Sequence, residues 1–159
     1  MRRQRIALFA ALALFTALPA AANAQQSQLR GTWTLNREQS DDLNAKINTA
    51  VARMNVVVRQ IARPRLRATN TAYPRLVVFY DATNVRIDMQ GRPAVSSPAN
   101  GQPVLWQRET GRTCNQMRGD CVRVTTEWRE GALHQTFQAE DGRRVNVFTV
   151  SADGSTMTM

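Results

Sequence analysis

The first patterned stretch of the chain alternates. Leu29, Gly31, Trp33 and Leu35 fall on one side of residues 29–36 and predict a strand. Ser40 then precedes Asp41 and Asp42, an N-cap followed by acids where a helix dipole favours negative charge. From there the apolar spacing changes to threes and fours, at Leu43, Ile47, Ala50, Val51, Met54, Val57, Val58 and Ile61. That spacing predicts one amphipathic helix, and Pro64 is expected to end it. Its apolar face carries no Trp or Phe anchor, which favours packing on the domain's own sheet over lying on a membrane.

After Pro74 the period becomes two, and turn formers recur at nearly regular intervals. Strands are predicted over 75–80, 85–89, 104–110, 122–129, 133–139, 145–150 and 156–159. The turns between them are at 81–84, Gln90-Gly91-Arg92, Glu130-Gly131, Asp141-Gly142 and Asp153-Gly154. Residues 93–103 hold three prolines and predict a loop with room for a short edge strand. Short neighbouring strands on tight turns must pair antiparallel, because a parallel crossover needs a dozen residues or more. The expected fold class is mainly β: an antiparallel eight-stranded meander, a closed or partly open barrel, with one amphipathic helix after the first strand.

Ahead of the domain, Arg2, Arg3 and Arg5 precede an apolar run from Ile6 to Leu18, and Ala22-Asn23-Ala24 follows Pro19. This order is that of a cleavable export signal over 1–24, leaving one domain over 25–159. The run falls short of the roughly 20 residues that span a bilayer, so no transmembrane segment is expected after cleavage. No cysteine stands at the cleavage point to be acylated, and the expected location is the periplasm or the exterior.

A hydrophobic content of 43% with 21% charged residues is ordinary for a folded domain and argues against a disordered or collagen-like chain. Losing three arginines with the signal takes the formal charge from +9 to +6. A cationic exported domain can meet acidic lipid, polysaccharide or nucleic acid, but net charge names no partner, and no specific nucleic-acid partner is expected. In an oxidising compartment Cys114 and Cys121 are expected to form a disulfide across a turn-rich loop. Two thiols and the single His134 fall short of the four ligands of structural zinc, so neither metal nor cofactor is expected.

Gly31-Thr32-Trp33-Thr34-Leu35-Asn36 with Ser40-Asp41-Asp42, the hairpin at Trp128, and Asp141-Gly142 with Val150-Ser151-Ala152-Asp153-Gly154 carry a resemblance. Together they resemble a group of uncharacterised exported bacterial lipocalin-like β-barrel proteins, over most of the mature chain. In lipocalins proper the Gly-x-Trp opens the first strand and its tryptophan plugs the closed end of the barrel, which Gly31 and Trp33 match. The helix after the first strand, and the lack of a second lipocalin motif, differ from that family. A ligand cavity is what the resemblance implies.

The sequence offers two functions. In the first, the barrel interior binds a small apolar or lipid-like molecule, with Trp106, Trp128, Phe137, Phe79 and Met89 as candidate ligand-binding side chains. The same side chains also suit a packed core. In the second, the barrel is filled and the protein is an envelope-associated or protease-inhibitor-like interaction module. Arg63, Arg65 and Arg67 are then candidate anion contacts, as opposed to a solvated helix end. No enzyme is expected: His134 has no nucleophile at motif spacing, Glu127 and Glu130 flank Trp128 as solvated charges, and the glycines form no phosphate loop. Oligomeric state is open.

Overall fold

Alternation decides which face of each strand is buried, and the burial pattern follows it closely. Val85, Ile87 and Met89 are buried on one strand while Arg86 between them is exposed. The computed structural model describes residues 28–81 and 83–159; the expected export signal lies outside them. Among the described residues, β1 (Gly31–Thr34), β2 (Arg75–Tyr80), β3 (Asn84–Met89) and β4 (Val95–Pro98) form one antiparallel sheet in that order. A second antiparallel sheet runs β5 (Val104–Gln107), β6 (Cys121–Arg129), β7 (Ala132–Gln138), β8 (Arg143–Val150) and β9 (Met157–Thr158). Two helices, α1 (Leu43–Val51) and α2 (Val56–Thr69), lie between β1 and β2.

The two sheets share a core. Leu76, Val78, Val85, Ile87 and Met89 from the first pack with Leu133 and Phe148 from the second, and Leu29 joins them. Each such side chain contributes about 1.5–3 kcal/mol when fully buried. A second cluster gathers Val95, Trp106, Val122, Val124 and Phe137. A polar row also lies in the interior: Thr126 sits opposite Gln135, which sits opposite Asn146, and all three are buried. Ser97 on β4 extends the row, its hydroxyl 2.6 Å from that of Thr126. The sheets are stitched at the same place by the Gly101 N–H, which donates to the Thr126 carbonyl at 2.8 Å.

The tightest turn follows from its residues. Arg129 pairs with Ala132, leaving Glu130 and Gly131 as a two-residue loop with φ of 52° and 75°. Both central residues of such a hairpin need positive φ, which glycine adopts without cost. Cys114 and Cys121 are disulfide-bonded, tying the loop after β5 to the first residue of β6.

Four expectations need correction. The eight-stranded meander is instead nine strands in two sheets, because residues 95–98 do form a strand; as an edge strand, β4 tolerates Pro98. The single helix is two, broken at Ala52–Asn55, where Asn55 starts a new one by accepting the Val58 N–H at 2.9 Å. Pro64 does not end α2 but lies inside it, on an exposed face where solvent reaches the carbonyl that loses its donor. Finally, α2 does not lay its apolar residues on a sheet: none of its side chains is fully buried.

Candidate functional site

The helical corner is built from local hydrogen bonds. The cap of α1 is Asp42 and not the expected Ser40: Asp42 Oδ1 accepts from the Asn44 and Ala45 N–H groups at 2.8 and 3.2 Å, while the Ser40 hydroxyl donates to the Asn36 carbonyl. At the other end of α1, Arg59 of α2 reaches back and donates through Nη2 to the carbonyls of Ala52 (2.6 Å) and Met54 (2.8 Å). The break between the helices is thereby closed by a cation at a helix C-terminus, where the dipole favours it. The end of α2 is held by two other arginines: Arg92 Nη2 donates to the Ala68 carbonyl at 3.4 Å and Arg144 Nη1 to that of Thr69 at 2.8 Å.

Residues three and four apart share a helix face. On α2 the half-buried side chains Arg59, Ala62, Arg63 and Leu66 make the inward face. Val57, Ile61, Pro64 and Ala68 make the opposite one, and all four are exposed, Val57 at 68% and Ile61 at 55%. Val56 and Val58, in the first turn of α2, are exposed as well but lie outside this stripe. Arg65 borders it on one side and Arg67 on the other, both exposed. Of the three arginines proposed from sequence, Arg63 is thus separated from Arg65 and turned inward, where its Nε is buried without a partner among the described residues. A run of i, i+2, i+4 positions cannot share one helical face.

The interior candidates are divided differently. Trp106 and Phe137 are core neighbours, ring centroids 5.9 Å apart and edge to face, and the Trp106 Nε1–H donates to the Ala94 carbonyl at 3.1 Å. The Arg144 guanidinium carbon stands 4.8 Å from the Phe137 ring centroid. Trp128 meets Tyr80 edge to face at 6.4 Å, and Met89 belongs to the first core cluster. Phe79 is the exception, 51% exposed, because the alternation that buries Leu76 and Val78 turns it outward. A groove of about 400 Å³ beside β5 is lined by Trp106, Leu105, Val104, Ser96, Arg86 and Thr113.

No catalytic geometry emerges at the histidine. His134 Nδ1 lies 3.1 Å from Arg129 Nη2; since a guanidinium only donates, Nδ1 is the acceptor. Arg129 also pairs with Glu127 at 3.5 Å, so these groups form a surface charge cluster. Among the described residues no three His, Cys, Asp or Glu side chains gather to hold a metal ion. The two carboxylates held below their ordinary range belong to turns. Asp81 accepts from the backbone N–H groups of Thr83 and Asn84, while Asp153, lowered to about 2, accepts chiefly from the Ser151 hydroxyl and from Ser155.

Sequence reasoning found Arg65 and Arg67 and an apolar helix face with Val57 and Ile61, but laid that face on the sheet where the structure leaves it exposed. A signal was present: from Leu43 to Tyr80 every charged residue is basic, namely Lys46, Arg53, Arg59, Arg63, Arg65, Arg67 and Arg75. An apolar helix face inside so one-sided a segment has no acidic side chain of its own to neutralise it. Among the described residues no helix is long and apolar enough to cross a membrane. Comparison with protein-family models, with curated proteins and with solved structures finds no match.

Proposed function

We propose that this chain is an exported, non-catalytic contact module that docks through α2 on an acidic component of the cell envelope. The observation that carries the reading is the solvent-facing stripe of Val57, Ile61, Pro64 and Ala68 with Arg65 and Arg67 at its borders. A folded domain of this size seldom leaves contiguous apolar surface on an amphipathic helix without a use for it. The uniformly basic segment around it supplies attraction to negative charge. Export to the periplasm or beyond, read from the N-terminal pattern and in keeping with the Cys114–Cys121 bond, would bring that face to the envelope.

The test is salt-dependent retention on an immobilised acidic polysaccharide. Arg65→Gln with Arg67→Gln should elute at clearly lower salt than the parent while retaining its melting temperature. Equal elution of parent and variant would remove α2 as the contact.

A second reading, a lipocalin-like interior holding a small amphipathic molecule against Trp106, Trp128, Phe137 and Met89, is favoured by one observation. Gln135 is fully buried, and neither its Oε1 nor its Nε2 has a hydrogen-bond partner within the described protein. An amide left so costs about 1–3 kcal/mol, which a bound group carrying both a donor and an acceptor would offset. Native mass spectrometry of the gently released protein tests it: a stoichiometric adduct lost in Gln135→Leu supports this reading, and a bare mass in the parent counts against it.

A further inference from the structure

We infer that the surface α2 meets is the headgroup layer of an anionic phospholipid bilayer, with the helix lying in the membrane plane. The inference rests on the docking reading above and names its partner. Three features of the site favour a lipid surface over a purely polar polyanion or a protein groove. The first is the apolar stripe itself. A polysaccharide chain would use Arg65 and Arg67 but offers nothing to cover Val57 and Ile61, whereas the boundary between headgroups and acyl chains takes both. The face has no Trp or Phe anchor, but the sheet that this lack favoured does not cover it, and the basic segment supplies the attraction instead.

The second is the order of the side chains across the face. Apolar residues occupy the centre and arginines the two edges, which matches a helix sunk to its axis with cations at headgroup height. Arginine stems are long enough to lie along the stripe while their heads stay in the phosphate layer, where planar guanidinium pairs well with phosphate oxygens. The third is shape. The stripe runs along the exposed side of a helix of 14 residues, about 21 Å long, whose half-buried side chains Arg59, Ala62, Arg63 and Leu66 are all on its other side. A ridge of this kind fits a flat, deformable surface without requiring a complementary groove.

The interior of α2 carries a compatible feature. Pro64 has no N–H, so the Gln60 carbonyl loses its intrahelical donor, and both residues are exposed. Such a carbonyl is intolerable at the bilayer centre but is readily hydrated at the interface. The inferred depth is therefore that of the headgroup boundary, with the β-sheets remaining in water.

The experiment is co-sedimentation of the exported protein with vesicles of phosphatidylglycerol and phosphatidylethanolamine, alongside vesicles of phosphatidylcholine alone and beads carrying an acidic polysaccharide. The parent should partition onto the anionic vesicles about tenfold or more better than onto the zwitterionic ones. Val57→Ser with Ile61→Ser, both at exposed positions, should lower that partitioning about tenfold and leave polysaccharide retention unchanged. Retention on the beads with no vesicle partitioning would overturn the bilayer inference and leave the acidic-surface reading standing. Failure on both would remove both. If the serine variant instead turns a parent dimer into a monomer, as judged by sedimentation velocity, the stripe serves a second copy of the chain and the inference is overturned.

Discussion

Arg144 and Thr69 stand 75 residues apart in sequence, yet the Arg144 Nη1–H donates to the Thr69 carbonyl at 2.8 Å. The same guanidinium covers the Phe137 ring, so one side chain joins the end of α2 to the core of the second sheet. Arg144→Met keeps the apolar stem and removes the bond and the cation. It should lower stability by about 1–2 kcal/mol in chemical denaturation. Amide exchange in the last turn of α2 should quicken, with β6 and β7 unaffected. Unchanged exchange at residues 66–70 would show that something else holds the helix.

Gln135 offers the opposite sign. Because its amide is buried without a partner in the described protein, Gln135→Leu should raise the free energy of unfolding by about 1–2 kcal/mol. Ser97→Ala should lower it by a similar amount, since it leaves the buried Thr126 hydroxyl unpaired. Loss of stability in Gln135→Leu would mean that a bound molecule satisfies the amide, as the interior-ligand reading requires.

These two residues also mark where sequence reasoning stops. The alternation of Val85, Ile87 and Met89, the spacing of the turns and the pairing of Cys114 with Cys121 are local, and all were legible. Gln135 shares a face with Leu133 and Phe137, so its burial follows from period two, but the absence of a partner depends on the strands opposite. Edge position made β4 hard to read, because its one proline and two serines are turn formers that an unpaired strand side tolerates. For α2 the apolar spacing was right and the partner wrong. A stripe at helical period says that one face is apolar; it does not say whether a sheet or another surface covers it. Pro64 misled for the same local reason, since its cost depends on whether solvent reaches the freed carbonyl.

The disulfide acts through the unfolded chain. Its short loop spans a sequence separation of 7, and on the chain-entropy account reduction should cost about 2.5 kcal/mol. Denaturant midpoints with and without reductant measure this directly. The intact mass of the native protein should be two protons below that of the reduced form. A midpoint indifferent to reductant would show that the β5–β6 connection is ordered without it.

At the β8–β9 turn, Asp153 gives a pH dependence of defined sign. Its carboxyl is held at about 2, below the ordinary 3.8, because the charged form accepts from the Ser151 hydroxyl and from the Ser155 N–H and hydroxyl. A depressed folded value means that the stabilising contribution is fully present above pH 3.8 and is lost as pH falls towards 2. Exchange of the Ser155 amide should therefore quicken across that window in the parent. Asp153→Asn should flatten the dependence. A parent profile as flat as that of the asparagine variant would contradict the turn geometry.

The claim that α2 is the contact surface is most directly tested by hydrogen–deuterium exchange of the exported protein with and without anionic phospholipid vesicles. The account predicts new protection over residues 56–69, with β2, β3, β6 and β7 unchanged, and its reversal at high salt. Protection confined to the groove around Trp106 and Arg86, or no change in α2 while the protein is vesicle-bound, would contradict it.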